Sequence, residues 1–249
     1  MVAGDPKALI TPDWPASGPI GAACSTRRGG VSEAPFDSLN LGGHTGDDPA
    51  AVAENRRLFQ AAAGMPAQPR WLKQVHGRRV VRVTGDGNPV EADAAWTDRA
   101  GCVCAVLVAD CLPVLLSAAD GACVGVAHAG WRGLSSGVLE ALVEAMPAAA
   151  GALCAWLGPA IGPDAFEVGD EVREAFLDAD PDCGEAFRPS PAGRWLADLY
   201  RLARRRLRGA GVADVSGGGF CTYSDAERFY SYRRDGRTGR MAAAIWLKA

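Results

Sequence analysis

Three histidines occur in the chain, at positions 44, 76 and 128, and two of them stand in settings where chemistry is done. His76 lies in WLKQVHG, directly before a glycine, and His128 lies in GVAHAGWRG, where an apolar run ends in a glycine-rich turn. Cys111, in LVADCLPVLL, stands where a second apolar run meets Asp110 and a proline. Two imidazoles and one thiolate suit zinc and leave a fourth position for water or substrate. An open zinc lowers the pKa of its water and polarises a substrate atom. The spacings of 35 and 17 residues fit no short zinc-finger pattern. Two other readings of the same residues stay open: a cysteine nucleophile with a histidine base, and a buried thiol that merely lies near histidines in turns.

A second group of residues points to an anion. In AHAGWRGLSSGVLEALVEAM a glycine-rich turn feeds a helix, and free N–H groups at its start, with Ser135, Ser136 and Arg132, would bind an oxyanion. The stretch is not a Walker A loop, because GxxxxGK followed by Ser or Thr is absent. Arg27 in STRRGG and Arg233, Arg234 and Arg240 in YRRDGRTGR are further bidentate donors if folding gathers them. The GGG run at 217–219 invites close backbone approach but is no nucleotide fingerprint.

These residues need a scaffold. Asp48 and Pro49 predict the cap and first turn of a helix over 49–63, closed by Gly64. RRVVRVTG reads as a strand, and residues 85–93 as a turn region. CVCAVLVADCLPVLL and ACVGVAHAG read as buried strands joined by a tight turn, with Pro113 marking a bend, bulge or edge. Covering helices are expected at 134–147, 167–178 and 194–208, the last with Trp195, Leu199 and Leu202 on its apolar stripe and its arginines on a solvated face. RMAAAIWL closes the chain as a strand. With no repeat and no linker, residues 1–249 are expected to form one mixed α+β domain.

Composition narrows the class. A net charge of −3 gives a polyanion no general attraction, so no nucleic-acid partner is expected. The amino-terminal stretch has no apolar run of signal-peptide type and no segment reaches the roughly 18 apolar residues of a membrane span, so a cytoplasmic protein with no membrane partner is expected. Eight cysteines in 249 residues make no dense disulfide scaffold. Cys102 and Cys104 lack the CxxC spacing of a redox pair and read as small buried thiols.

Taken together, STRRGGVS with FDSLNLG, GDDPAAVAENRR, WLKQVHG, ADCLPVLL, HAGWRG, WLGPAIGPDAFEVGDEV, GGGFCTYSD and RFYSYRRDGRTGR resemble the YfiH-like (DUF152) family, also called the multicopper polyphenol oxidase or laccase family. The resemblance covers about residues 20–249. It implies a layered α/β sandwich with mixed sheets, related to the cytotoxic-necrotizing-factor and CheD cysteine deamidases. It implies zinc held by His76, Cys111 and His128, copper being the alternative metal, and pocket roles for Arg27, Asn40 and Arg132. It implies phosphorolysis of purine nucleosides (adenosine, inosine, guanosine, methylthioadenosine) by phosphate, with adenosine deaminase activity beside it. A cysteine-dependent amidohydrolase, a copper phenol oxidase and a zinc-stabilised scaffold are the competing functions. Three histidines are too few for a four-copper oxidase. Ala22 and Cys24 depart from the family's HGFSTR, which bears on pocket shape.

Overall fold

The computed structural model describes residues 9–15, 18–85, 87 and 89–248. Residues 1–8, with Asp86 and Asn88 of the expected turn region, lie outside them. The apolar runs form two sheets. One has six strands in the order Asp214–Gly217, Leu153–Leu157, Leu112–Ala118, Val124–Ala129, Ala94–Thr97, Val80–Arg82, parallel at its two outer pairings and antiparallel within. The other has four antiparallel strands in the order Leu9–Ile10, Ile20–Ser25, Met241–Leu247, Val103–Val108.

Burial of every residue of Val103–Val108, Leu112–Ala118 and Val124–Ala129 explains why these runs show no polar alternation: each is covered on both faces. Cys104, Val106 and Val108 meet Leu115, Val124, Val126 and Ile245 between the sheets. Val103, Ala105 and Leu107 turn outward to Trp246 and to Phe59 of the helix Pro49–Ala63. Val114, Leu116 and Ala127 pack beneath Leu139, Leu142, Leu202 and Leu207 of the helices Val138–Ala145 and Leu199–Gly209. The layers therefore run helix, sheet, sheet, helices, an α+β sandwich with mixed sheets. Each fully buried Leu or Val contributes about 1.5–3 kcal/mol. Cys102 and Cys104 are buried free thiols, as their spacing suggested.

The first helix forms as its caps predict. The Asp48 carboxylate accepts from the Ala50 amide at 3.0 Å and Gly64 closes the helix at φ 66°. Five expectations are corrected. The helix expected at 134–147 is a short helix Trp131–Ser135, a break at Gly137 with φ 93°, and then Val138–Ala145. The other two expected helices begin with strands, Glu167–Val168 and Trp195–Ala197, before helices Asp170–Leu177 and Leu199–Gly209. Trp195 thus leaves the apolar stripe, because the Asp198 cap starts the helix after it. The 85–93 region contains a strand, Val90–Glu91, parallel to Leu72–Lys73. Finally, Pro113 makes no bend. It sits inside Leu112–Ala118, one residue beyond the ladder with Leu153–Leu157, where its missing N–H is not needed. Three of the five arginines of the last long helix are in ion pairs, Arg201 with Glu185, Arg205 with Asp180 and Asp182, and Arg206 with Glu140, and Arg204 donates to the carbonyls of Val215 and Gly217. No helix among the described residues is long and apolar enough to cross a membrane.

Candidate metal centre

The chain leaves one sheet at Val108 and enters the other at Leu112, and the crossing between them carries Cys111. Asp110 makes the crossing at φ 90°. Its carboxylate is held by the Thr222 hydroxyl at 2.6 Å and the Arg233 amide at 2.7 Å. The antiparallel register then sets Leu112 against Ala129 and Pro113 against His128, so the hairpin closes the 17-residue gap between the cysteine and the histidine. His128 shares the parity of Val124 and Val126 and faces the layer between the sheets, 3% exposed.

His76 comes from a loop rather than a strand. It holds φ 60°, and among the described residues only His76 and Asp110 combine a side chain with positive φ. Such backbone is uncommon and must be held by its surroundings. Asp93 supplies the hold. Its carboxylate accepts the amides of Val75, His76 and Gly77 at 3.1, 2.9 and 2.7 Å, and the Nδ1 of His128 at 2.9 Å. Gln74 clamps the other side of the loop to the edge of the four-stranded sheet, giving to and taking from Leu107 at 2.8 Å each way.

The Cys111 Sγ lies 3.9 Å from His76 Nε2, and one donor atom from each of His76, Cys111 and His128 falls within 4.8 Å of the others. Tetrahedral zinc with Zn–S of about 2.3 Å and Zn–N of about 2.0–2.1 Å needs S and N roughly 3.6 Å apart, so the donors fit a metal with small adjustment. With Nδ1 committed to Asp93, the Nε2 of His128 is the free donor. The turn must be glycine here: a Cβ at Gly130 would stand 2.8 Å from Cys111 Sγ and 3.2 Å from His76 Cδ2. Burial opposes a thiolate at Cys111, but the His128 charge and hydrogen bonds from both histidines outweigh it and hold the thiol below its usual range. Burial likewise opposes a charged His128, and the Cys111 and Asp93 charges raise it nonetheless. This is a metal-binding cluster of catalytic type, with three protein ligands and an open side.

The open side is a cleft of about 640 Å³, the size of a small-molecule site. Arg132 and Arg240 line it, with His44, Gln74, Tyr232 and the apolar Leu72, Leu107 and Val108. Arg132 stacks on Trp131 with its guanidinium carbon 4.4 Å from the ring centroid. Ser135 and Ser136 do not join it: they end the short helix, and their hydroxyls bond back to the carbonyls of Arg132 and Gly133. Arg27 lies outside the cleft, held by Asp37 and the Ala226 carbonyl and stacked on Tyr230. Arg233 and Arg234 are likewise spent on backbone carbonyls. Asn40 is wholly buried and reaches the site at second hand, its Oδ1 accepting the Arg240 amide at 2.9 Å. Gly217 lies against Trp156 and Gly218 against Tyr200, while Gly219 has open space beside it. Ala22 and Cys24 sit in the four-stranded sheet and do not line the cleft.

Sequence reasoning missed Asp93 altogether, and its signal was slight: one acid directly before the buried AAWT strand. His44 and Tyr232 carried no signal apart from their residue types.

The sequence model of the family described as multi-copper polyphenol oxidoreductase laccase matches residues 21–248. The chain belongs to that family. A Pseudomonas aeruginosa protein named purine nucleoside phosphorylase is 54% identical over 97% of this chain and 99% of its own length. The Escherichia coli purine nucleoside phosphorylase YfiH is 52% identical over 96% of this chain and 98% of its own. A crystal structure of a Neisseria meningitidis DUF152 protein, 46% identical, superposes with a TM-score of 0.93 over 97% of this chain and 100% of that one. Family membership and the His/Cys/His cluster together make this a metal-assisted catalytic site.

Proposed function

We propose that the protein is a cytoplasmic, zinc-dependent purine nucleoside phosphorylase that also deaminates adenosine. One observation carries the reading: the three-donor centre opens into a cleft whose walls bring Arg132 and Arg240 but no Asp or Glu. The names of the relatives above point the same way. Bound at His76, Cys111 and His128, zinc would supply a Lewis acid with an exchangeable position. The chain's own groups do the rest. Arg132 and Arg240 hold phosphate beside C1′ of the ribose and offset its charge. The exposed ring of Tyr232 offers a flat surface to the base. A phosphate oxygen bonds to C1′ as the C1′–N9 bond breaks, and the electron pair leaves with the purine, which takes a proton. Arg27 and Asn40, proposed as pocket residues, act through the loops they anchor. The test is to incubate metal-quantified protein with adenosine, with and without phosphate, and to identify the products. Adenine and ribose-1-phosphate formed only with phosphate supports the reading; inosine alone, independent of phosphate, removes its phosphorolytic half.

A second reading, a cysteine-dependent amidohydrolase, has a specific observation behind it. Asp93, His128 and Cys111 stand in the order of acid, base and nucleophile, with the thiol held toward its ionised form. On geometry alone this order is the more direct match, since it joins the acid, the base and the thiol without any ligand. Hydrolytic activity retained after zinc removal, with covalent trapping of Cys111, would establish it; loss of all turnover with the metal would exclude it.

A further inference from the structure

One wall of the cleft carries groups that take no part in holding the metal. We propose that His44 and Arg240 form an anion subsite on this wall that receives inorganic phosphate. The inference deepens the phosphorolysis reading and rests on it for the identity of the anion.

The subsite is built before any ligand arrives. Asn40 ties its two halves together, because Oδ1 accepts the amides of both Gly42 and Arg240, at 3.0 and 2.9 Å. The Asn40 amide nitrogen donates to Thr45 Oγ1 at 2.9 Å and to Asp47 Oδ2 at 2.8 Å, which fixes the loop that carries His44. Gly42 lets that loop lie against the arginine, since a Cβ there would come within 2.8 Å of Arg240 Cγ. Yet neither functional end is paired with an anion, although the Arg240 guanidinium also stands 5.8 Å from the centroid of the Tyr232 ring. The His44 imidazole bonds to no described residue. Arg240 spends Nη1 on the carbonyls of Thr238 and Gly239, and neither its Nε nor its Nη2 meets a carboxylate. A guanidinium edge beside an imidazole matches a tetrahedral oxyanion. None of the residues lining the cleft is Asp or Glu, although the chain has 29 of them.

The charges around His44 predict how it responds. Partial burial, then Arg240, then Arg56 hold it below the usual histidine range. Arg237 donates to the Gly46 carbonyl of the same loop, while Asp47 is tied to Asn40 and Ser32 and Asp48 caps the first helix. An arriving anion reverses this balance and favours the imidazolium. His44 therefore takes up a proton as the anion binds.

The experiment is titration calorimetry on the metal-loaded full chain near pH 6, in two buffers of different ionisation enthalpy. Sulfate serves as the anion of fixed charge, and phosphate affinity is measured beside it. Wild type is expected to take up protons with sulfate. His44→Gln, with metal content and Tm unchanged, is expected to bind both anions about threefold to tenfold more weakly and to take up none. Arg240→Gln is expected to lose about tenfold or more. Proton uptake that survives His44→Gln, wild-type affinity in both variants, as for an anion held at the metal, or no anion binding to wild type overturns the proposal. Adenosine turnover separates the two readings. Phosphate-independent turnover with His44-linked anion binding intact removes phosphorolysis and keeps the subsite. Phosphate-dependent turnover with an unchanged phosphate KM in His44→Gln does the reverse.

Discussion

Asp93 and His128 are joined twice: the His128 amide donates to the Asp93 carbonyl at 2.7 Å, and its ring Nδ1 donates to the Asp93 carboxylate at 2.9 Å. The first bond belongs to the sheet and fixes where the histidine stands. The second fixes which ring nitrogen is left for chemistry. The same carboxylate holds the His76 loop, so one buried acid aligns two of the three donors.

Asp93→Asn is expected to leave the sheet intact and to weaken metal binding about 10–100-fold, the usual loss when the group behind a ligating histidine is changed. An amide offers one acceptor oxygen where the carboxylate has two, so the loop and the ring can no longer both be held. Competition against a fluorescent chelator measures the change, and an unaltered affinity would remove Asp93 from this role.

Cys111→Ser is expected to abolish turnover and to reduce tightly bound metal to well below one equivalent, with little change in Tm. The side chain is only half-buried and belongs to none of the apolar clusters. Metal analysis beside thermal unfolding separates a lost ligand from a lost fold.

In metal-stripped protein, Cys111 is expected to react with iodoacetamide along a pH profile whose midpoint lies below the ordinary thiol value of about 8.5. His128 favours the thiolate and lowers the folded-state pKa, so reactivity is present above that lowered midpoint and falls as pH drops through it. Zinc should suppress the reaction. Peptide mapping distinguishes Cys111 from Cys221, the other partly exposed thiol among the described residues.

Gly130→Ala is expected to cost about 1–3 kcal/mol and to impair metal binding more than stability, because the added methyl meets Cys111 and His76 rather than the core. Equal metal affinity in the variant would mean the turn relaxes freely.

Asn40→Ala is expected to destabilise by about 1–3 kcal/mol, since the amides of Gly42 and Arg240 lose a buried acceptor. Urea unfolding gives that number. Where activity can be assayed, phosphate KM should rise more than nucleoside KM, because the loop and Arg240 face the cleft together.

Some of this was legible in residue order alone. The first helix was marked by Asp48, Pro49 and Gly64, and the buried strands by apolar runs rich in Val and Leu. Both signals are local, because capping groups and apolar runs act within a few residues. His76, Cys111 and His128 drew notice by residue type and by glycine neighbours, while their meeting depended on register. A hairpin set Pro113 against His128, and a crossing between two sheets placed Cys111 at its mouth. The arginines divided the same way. Sequence put Arg27 and Arg132 first, with Arg233, Arg234 and Arg240 as further donors, but tertiary packing spent Arg27, Arg233 and Arg234 on carbonyls and carboxylates and left Arg132 and Arg240 at the cleft. Hydrogen-bond partners distant in the chain cannot be read from composition. Sequence therefore determined which groups were available for chemistry, and the tertiary structure decided which of them remained free to do it.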